Sequence, residues 1–143
     1  MIDKDSVLLY QGEFANIDIV KKWENSDLVL YGNHLYNHWN VLALSSDELR
    51  EQYLTNEELL SQFKNSVNFF AFPNGQPKTC FSASDVTFLE HLGAEKVFSA
   101  SGGVNIDTSD FLLRRMSLYE WDEDEDYIWF QLGKSIFYSL FCK

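Results

Sequence analysis

Apolar and polar positions along this chain switch between a period of two and a period near three and a half, and the switches predict its elements. Val7-Leu8-Leu9-Tyr10 forms a short apolar run, read as a strand. Ile17, Val20 and Trp23 fall on one side of a helix over 17–23. Leu28-Val29-Leu30-Tyr31 suits a buried parallel strand that stops at Gly32. The clearest helix runs over about 46–64, where Leu49, Tyr53, Leu60 and Phe63 recur on one face. Ser45 and Glu48 form a capping box at its start. Acids gather in its first turn and Lys64 closes it, as the helix dipole favours. Asn68-Phe69-Phe70-Ala71-Phe72 is the next strand, ended by the turn Pro73-Asn74-Gly75. A helix over 84–92 follows and stops at Gly93. Val97-Phe98-Ser99-Ala100 is a strand before Gly102-Gly103, and 112–118 and 127–132 are further strands.

Strands alternating with helices predict an α/β fold with a largely parallel sheet. Ligands of such sheets bind beyond the carboxyl ends of the strands. The segments after Tyr31, Phe72 and Ala100 are therefore expected to meet at one end of the sheet and form a site.

The 143 residues suit one domain over 1–143, and 45% hydrophobic and 16% aromatic residues suffice for a core. There are 11 Lys and Arg against 22 Asp and Glu, a formal net charge of −11. That excess argues against nucleic acid, whose phosphates select basic faces, and allows a neutral or cationic ligand. The run Glu120-Trp121-Asp122-Glu123-Asp124-Glu125-Asp126 reads as a solvated loop or helix start. It lacks the glycine and glutamate spacing of a calcium loop. Cys80 and Cys142 make no disulfide framework. Met1-Ile2-Asp3-Lys4-Asp5 does not open a secretory signal, and no apolar run approaches the roughly 18 residues of a membrane span. A cytoplasmic chain is the default expectation.

Candidate chemistry concentrates after the third predicted element. His34 and His38 are spaced i, i+4, which on a helical turn places both imidazoles on one side. Such a pair suits zinc or a similar divalent metal, although two histidines in a polar segment are also common surface residues. A catalytic zinc takes three protein ligands and leaves a position for water. His91, within a predicted helix, is read as a structural or surface histidine.

Gly32-Asn33-His34-Leu35-Tyr36-Asn37-His38, followed by Leu44-Ser45-Ser46-Asp47-Glu48-Leu49, resembles the second motif of the metal-dependent polysaccharide deacetylases. Phe70-Ala71-Phe72-Pro73-Asn74-Gly75 is similar to their third motif. Leu92-Gly93-Ala94 through Phe98-Ser99-Ala100, and 110–118 with Arg115, resemble the later strands. The match covers about 23–118, the C-terminal portion of the family's catalytic domain. The resemblance implies a distorted (β/α) barrel and hydrolysis of acetyl groups on amino-sugar polymers. His34 and His38 would hold a divalent metal, Zn2+ first and Co2+ or Ni2+ as alternatives. That metal would activate water and polarise the acetyl carbonyl. The Asn74 backbone N–H would contact the oxyanion, with Pro73, Gly75, Trp39 and Tyr36 at the substrate.

The family's first motif, an Asp-Asp pair supplying the general base and the third metal ligand, has no counterpart here. Asp3, Asp5, Asp18 and Asp27 sit in no matching motif, and the late Leu-x-His motif is also missing. The expectation is a partial barrel lacking its first strand or strands. An exposed edge would be covered by a second copy or by a separate N-terminal piece. Loss of the base removes proton transfer worth roughly a hundredfold to ten-thousandfold. The alternative function is thus a non-catalytic remnant that holds a glycan or a metal.

Overall fold

The structure, a computed structural model, describes residues 16–116 together with Trp129, Phe130 and Gly133. Four strands, β1 (Tyr31–Asn33), β2 (Ser66–Ala71), β3 (Lys96–Ser99) and β4 (Leu112–Arg114), form one parallel sheet in the order β1-β2-β3-β4. Helix α1 (Ile17–Lys22) precedes β1, α2 (Ser46–Leu60) joins β1 to β2, and α3 (Ala83–His91) joins β2 to β3. Leu49 and Tyr53 of α2 and Leu89 of α3 share one buried cluster with Phe70, Phe72 and Val97 of the sheet side. Both connecting helices therefore cover the same face. The expected α/β class and parallel sheet are present. Among the described residues no helix is long and apolar enough to cross a membrane.

Several boundaries differ from the pattern's expectation, each for a local reason. The first described strand begins at Tyr31 rather than Leu28, which is 93% exposed. The Ser26 hydroxyl accepts the Leu28 N–H, and the Asn65 side chain donates to the Val29 carbonyl. Side chains thus take backbone groups that a strand would have paired. Gly32 lies inside β1 rather than ending it. A Cβ there would sit 2.9 Å from the Phe69 carbonyl oxygen, at the point where the β1–β2 register shifts.

Helix α2 carries the expected capping box, with Ser45 and Glu48 exchanging both contacts. It ends at Leu60 rather than near 64. The Ser61 hydroxyl and the Gln62 amide take the carbonyls of Glu58 and Leu59, and Phe63 enters the core from the following turn against Tyr31. Helix α3 has a second capping box, Ser82 with Asp85, and stops before Gly93 at φ +105°. The stripe expected on α1 is not buried: Ile17 is 50% and Trp23 46% exposed. The strand expected at Val7–Tyr10, the acidic run and Cys142 lie outside the described residues, whereas Cys80 is buried and free. Within the strand expected over 127–132, the described residues Trp129 and Phe130 are helical instead.

The sheet's other face carries Leu30, Gly32, Val67, Phe69, Ala71 and Phe98 around a shallow depression of about 240 Å³. His34 opens onto the same depression.

Candidate metal and ligand site

The loop leaving β1, His34 to Asn40, is held at both ends and in the middle by amide side chains. Asn33, 3% exposed, donates to the Tyr53 carbonyl through Nδ2 at 2.9 Å. Its Oδ1 accepts the Leu35 N–H at 3.0 Å and an Asn56 N–H at 2.9 Å. Asn40 receives the Leu42 N–H and donates to the Thr79 carbonyl. Between them, the Gln52 side chain accepts the Asn37 N–H, and the Gln52 carbonyl accepts the Tyr36 N–H. The loop is therefore fixed to α2 rather than free to sample many conformations.

This loop is not the helical turn that the i, i+4 spacing suggests. Leu35 and His38 adopt left-handed backbone conformations, φ 63° and 55°. Such conformations cost free energy in non-glycine residues and persist where their surroundings impose them. Here they fold the chain back so that the two imidazoles meet edge to face, with centroids 4.8 Å apart. With Zn–N bonds of about 2.0–2.1 Å at a tetrahedral angle, the centroids of two ligating imidazoles lie about 5 Å apart. The observed spacing fits that arrangement.

The protonation state of His34 follows from its partner. Its Nδ1 lies 2.6 Å from the Ala71 carbonyl oxygen, which can only accept. Nδ1 therefore carries the proton, and Nε2 is left with a lone pair. Backbone carbonyls commonly orient metal-binding histidines in this way. Burial holds the His34 pKa below its ordinary value, opposed by the Ala71 bond and assisted by the charges of His38 and Arg115. A neutral imidazole is the form that binds metal. His38 is exposed, and its ring has no hydrogen-bond partner among the described residues. No third His, Cys, Asp or Glu joins the pair among the described residues. The donors fit two positions of a metal site and leave the rest of the set to be supplied.

The turn after β2 lies beside this loop. Consecutive carbonyls divide between neighbours: that of Ala71 accepts from His34, and that of Phe72 accepts from the Arg115 guanidinium at 2.9 Å. Ala100 donates to the Gly75 carbonyl at 2.7 Å, and the Gln76 side chain returns to the Ala100 carbonyl. The loops after β1, β2 and β3 thus converge as the pattern predicts, and the end of β4 joins them through Arg115.

Asn74 is exposed at φ 59°, and no acceptor among the described residues takes its N–H. Pro73 and Gly75 are buried, so they shape the turn rather than present a surface. Phe72 is fully buried and stacks on Phe81, 3.8 Å between centroids. Tyr36 and Trp39 are each 53% exposed beside the histidines. His91 is exposed on α3, bonded to the Thr87 carbonyl.

Arg115 is the residue whose placement the pattern does not give. Its guanidinium lies where a Gly75 Cβ would approach to 3.0 Å, and its Nε is buried without a partner among the described residues. The position of Arg115 late in an apolar strand was the available signal. A wider groove of about 600 Å³ lies between β4 and residues 104–110, and part of its polar lining is already engaged. The Asn105 amide exchanges two bonds with the Arg114 backbone, Asp107 accepts the Ser109 N–H, and Lys96 binds the carbonyls of Thr108, Ser109 and Asp110. No protein-family model, curated protein or solved structure matches the chain.

Proposed function

We propose that this chain carries the two-histidine part of a hydrolytic metal centre of polysaccharide-deacetylase type, acting on acetylated amino-sugar polymers. The observation that carries the proposal is the His34–His38 pair. It sits at the carboxyl end of a parallel sheet, its rings are spaced as two zinc ligands would be, and the Nδ1 proton of His34 is committed to Ala71. The strand order supports the barrel reading. Neighbouring strands follow sequence order, and the connecting helices share one face, as in a (β/α) barrel.

A bound divalent cation, Zn2+ above all, would supply Lewis acidity and lower the pKa of its water. His34, through Nε2, and His38 would hold it. The exposed N–H of Asn74 is an unspent donor for a developing oxyanion. Arg115 fixes the turn that presents Asn74, through the Phe72 carbonyl. A third ligand and a general base, carboxylates in the family, would still be needed, and no described residue brings one to the pair.

The test is acetate release from an acetylated amino-sugar oligomer with added Zn2+, Co2+ or Ni2+. The wild-type chain releases acetate, and His34→Ala/His38→Ala abolishes release. Absence of release with every metal, or release that the double variant retains, overturns the hydrolase reading. Metal binding without release favours the non-catalytic alternative, for which the incomplete ligand set is the specific observation.

A further inference from the structure

Immediately after His38 the chain leaves Trp39 with 53% of its surface exposed, at the rim of a groove of about 360 Å³. The groove is also lined by Ala43, Leu44, Glu48, Glu51 and Gln52. We propose that this groove binds a sugar unit carrying a protonated amine, so that the chain engages polymer that is already partly deacetylated. This inference rests on the deacetylase reading for its biological sense, but not for its binding chemistry.

Three features of the groove select that ligand. An exposed indole offers a π face to the C–H face of a pyranose and attracts a cation placed over it. The two carboxylates differ in availability. Glu48 is engaged by the Ser45 N–H and hydroxyl, whereas the exposed Glu51 has no partner among the described residues and can accept from an ammonium. Gln52 ties the groove wall to the histidine loop, since its side chain and backbone carbonyl hold Asn37 and Tyr36. A unit bound beside Trp39 is therefore held in fixed relation to His34 and His38.

Charge complementarity points the same way. The net charge of −11 favours a cationic over an anionic polymer. Deacetylation itself creates the cation. Water adds to the acetamide carbonyl carbon, the C–N bond breaks, acetate leaves, and the nitrogen takes up protons as an ammonium group. A groove that prefers this product at a flanking position would hold the polymer as its neighbours are processed.

The test is calorimetric titration, without added metal, using a glucosamine tetramer and an N-acetylglucosamine tetramer. The variants are Trp39→Ala and Glu51→Gln, with circular dichroism to confirm folding. The glucosamine tetramer binds the wild-type chain more tightly. Trp39→Ala weakens it about tenfold, the order of a good cation–aromatic contact. Glu51→Gln removes the preference between the two tetramers. Equal or tighter binding of the acetylated tetramer, no binding of either, or indifference to Trp39→Ala overturns the inference. Binding without acetate release overturns only the hydrolase reading. Acetate release that ignores Trp39→Ala, with no glucosamine binding, overturns only this one.

Discussion

Replacing Asn33 by alanine tests whether the histidine loop is held by its amide anchors. The side chain makes three hydrogen bonds in a buried setting: to the Tyr53 carbonyl, from the Leu35 N–H and from Asn56. Each contributes about 1 kcal/mol net, and leaving the Leu35 N–H buried without its partner adds to the loss, whereas the Tyr53 carbonyl keeps its bond within α2. The expected cost is about 2–4 kcal/mol, a large part of the ~5–15 kcal/mol by which a domain is stable. Urea denaturation would read this as a midpoint lowered by ~1–2 M with an unchanged slope. Asn56→Ala removes one of the three bonds and costs about 1 kcal/mol. The double variant costs little more than Asn33→Ala, because the shared bond is already gone. If Asn33→Ala costs no more than Asn56→Ala, the loop does not depend on Asn33, and the preorganisation of His34 and His38 needs another origin.

Gly75→Ala should lower stability by about 1–3 kcal/mol, through left-handed strain and a Cβ 2.8 Å from the Ala100 nitrogen. Gly93→Ala, with φ +105° but nothing within 4 Å, should cost less in the same urea assay. Asn105→Ala frees the Arg114 N–H and carbonyl on the outer edge of β4. It should give concentration-dependent association by light scattering, since open edges recruit further strands. The Glu48 carboxyl is held below its ordinary value of 4.5 by the Ser45 hydroxyl and N–H. Its stabilising effect is complete well above 4.5 and is lost as pH falls through its lowered folded value. The stability difference between wild type and Glu48→Gln should therefore narrow on acidification below that range. A difference that is constant with pH would contradict the assignment.

The sheet and its helices were legible because burial leaves a period in the sequence. Leu49 and Tyr53 mark the covered face of α2, and Ser45 with Glu48 marks its start. The ends were less legible where side chains compete with the backbone ladder, as Asn65 does at Val29 and Gln62 at Leu59. The site was legible as a place, since His34 and Asn74 lie at strand ends. Its geometry was not. The imidazoles meet through left-handed Leu35 and His38, which spacing alone does not signal. Arg115 reaches the Phe72 carbonyl across 43 residues of sequence, a contact that only the assembled sheet creates.

Calorimetric titration of the chain with Zn2+, beside His34→Ala and His38→Ala, tests the metal centre most directly. A centre built on the two imidazoles predicts that each substitution weakens binding by at least about tenfold, since losing even an outer-shell partner costs that much. Equal affinity in all three proteins would contradict it.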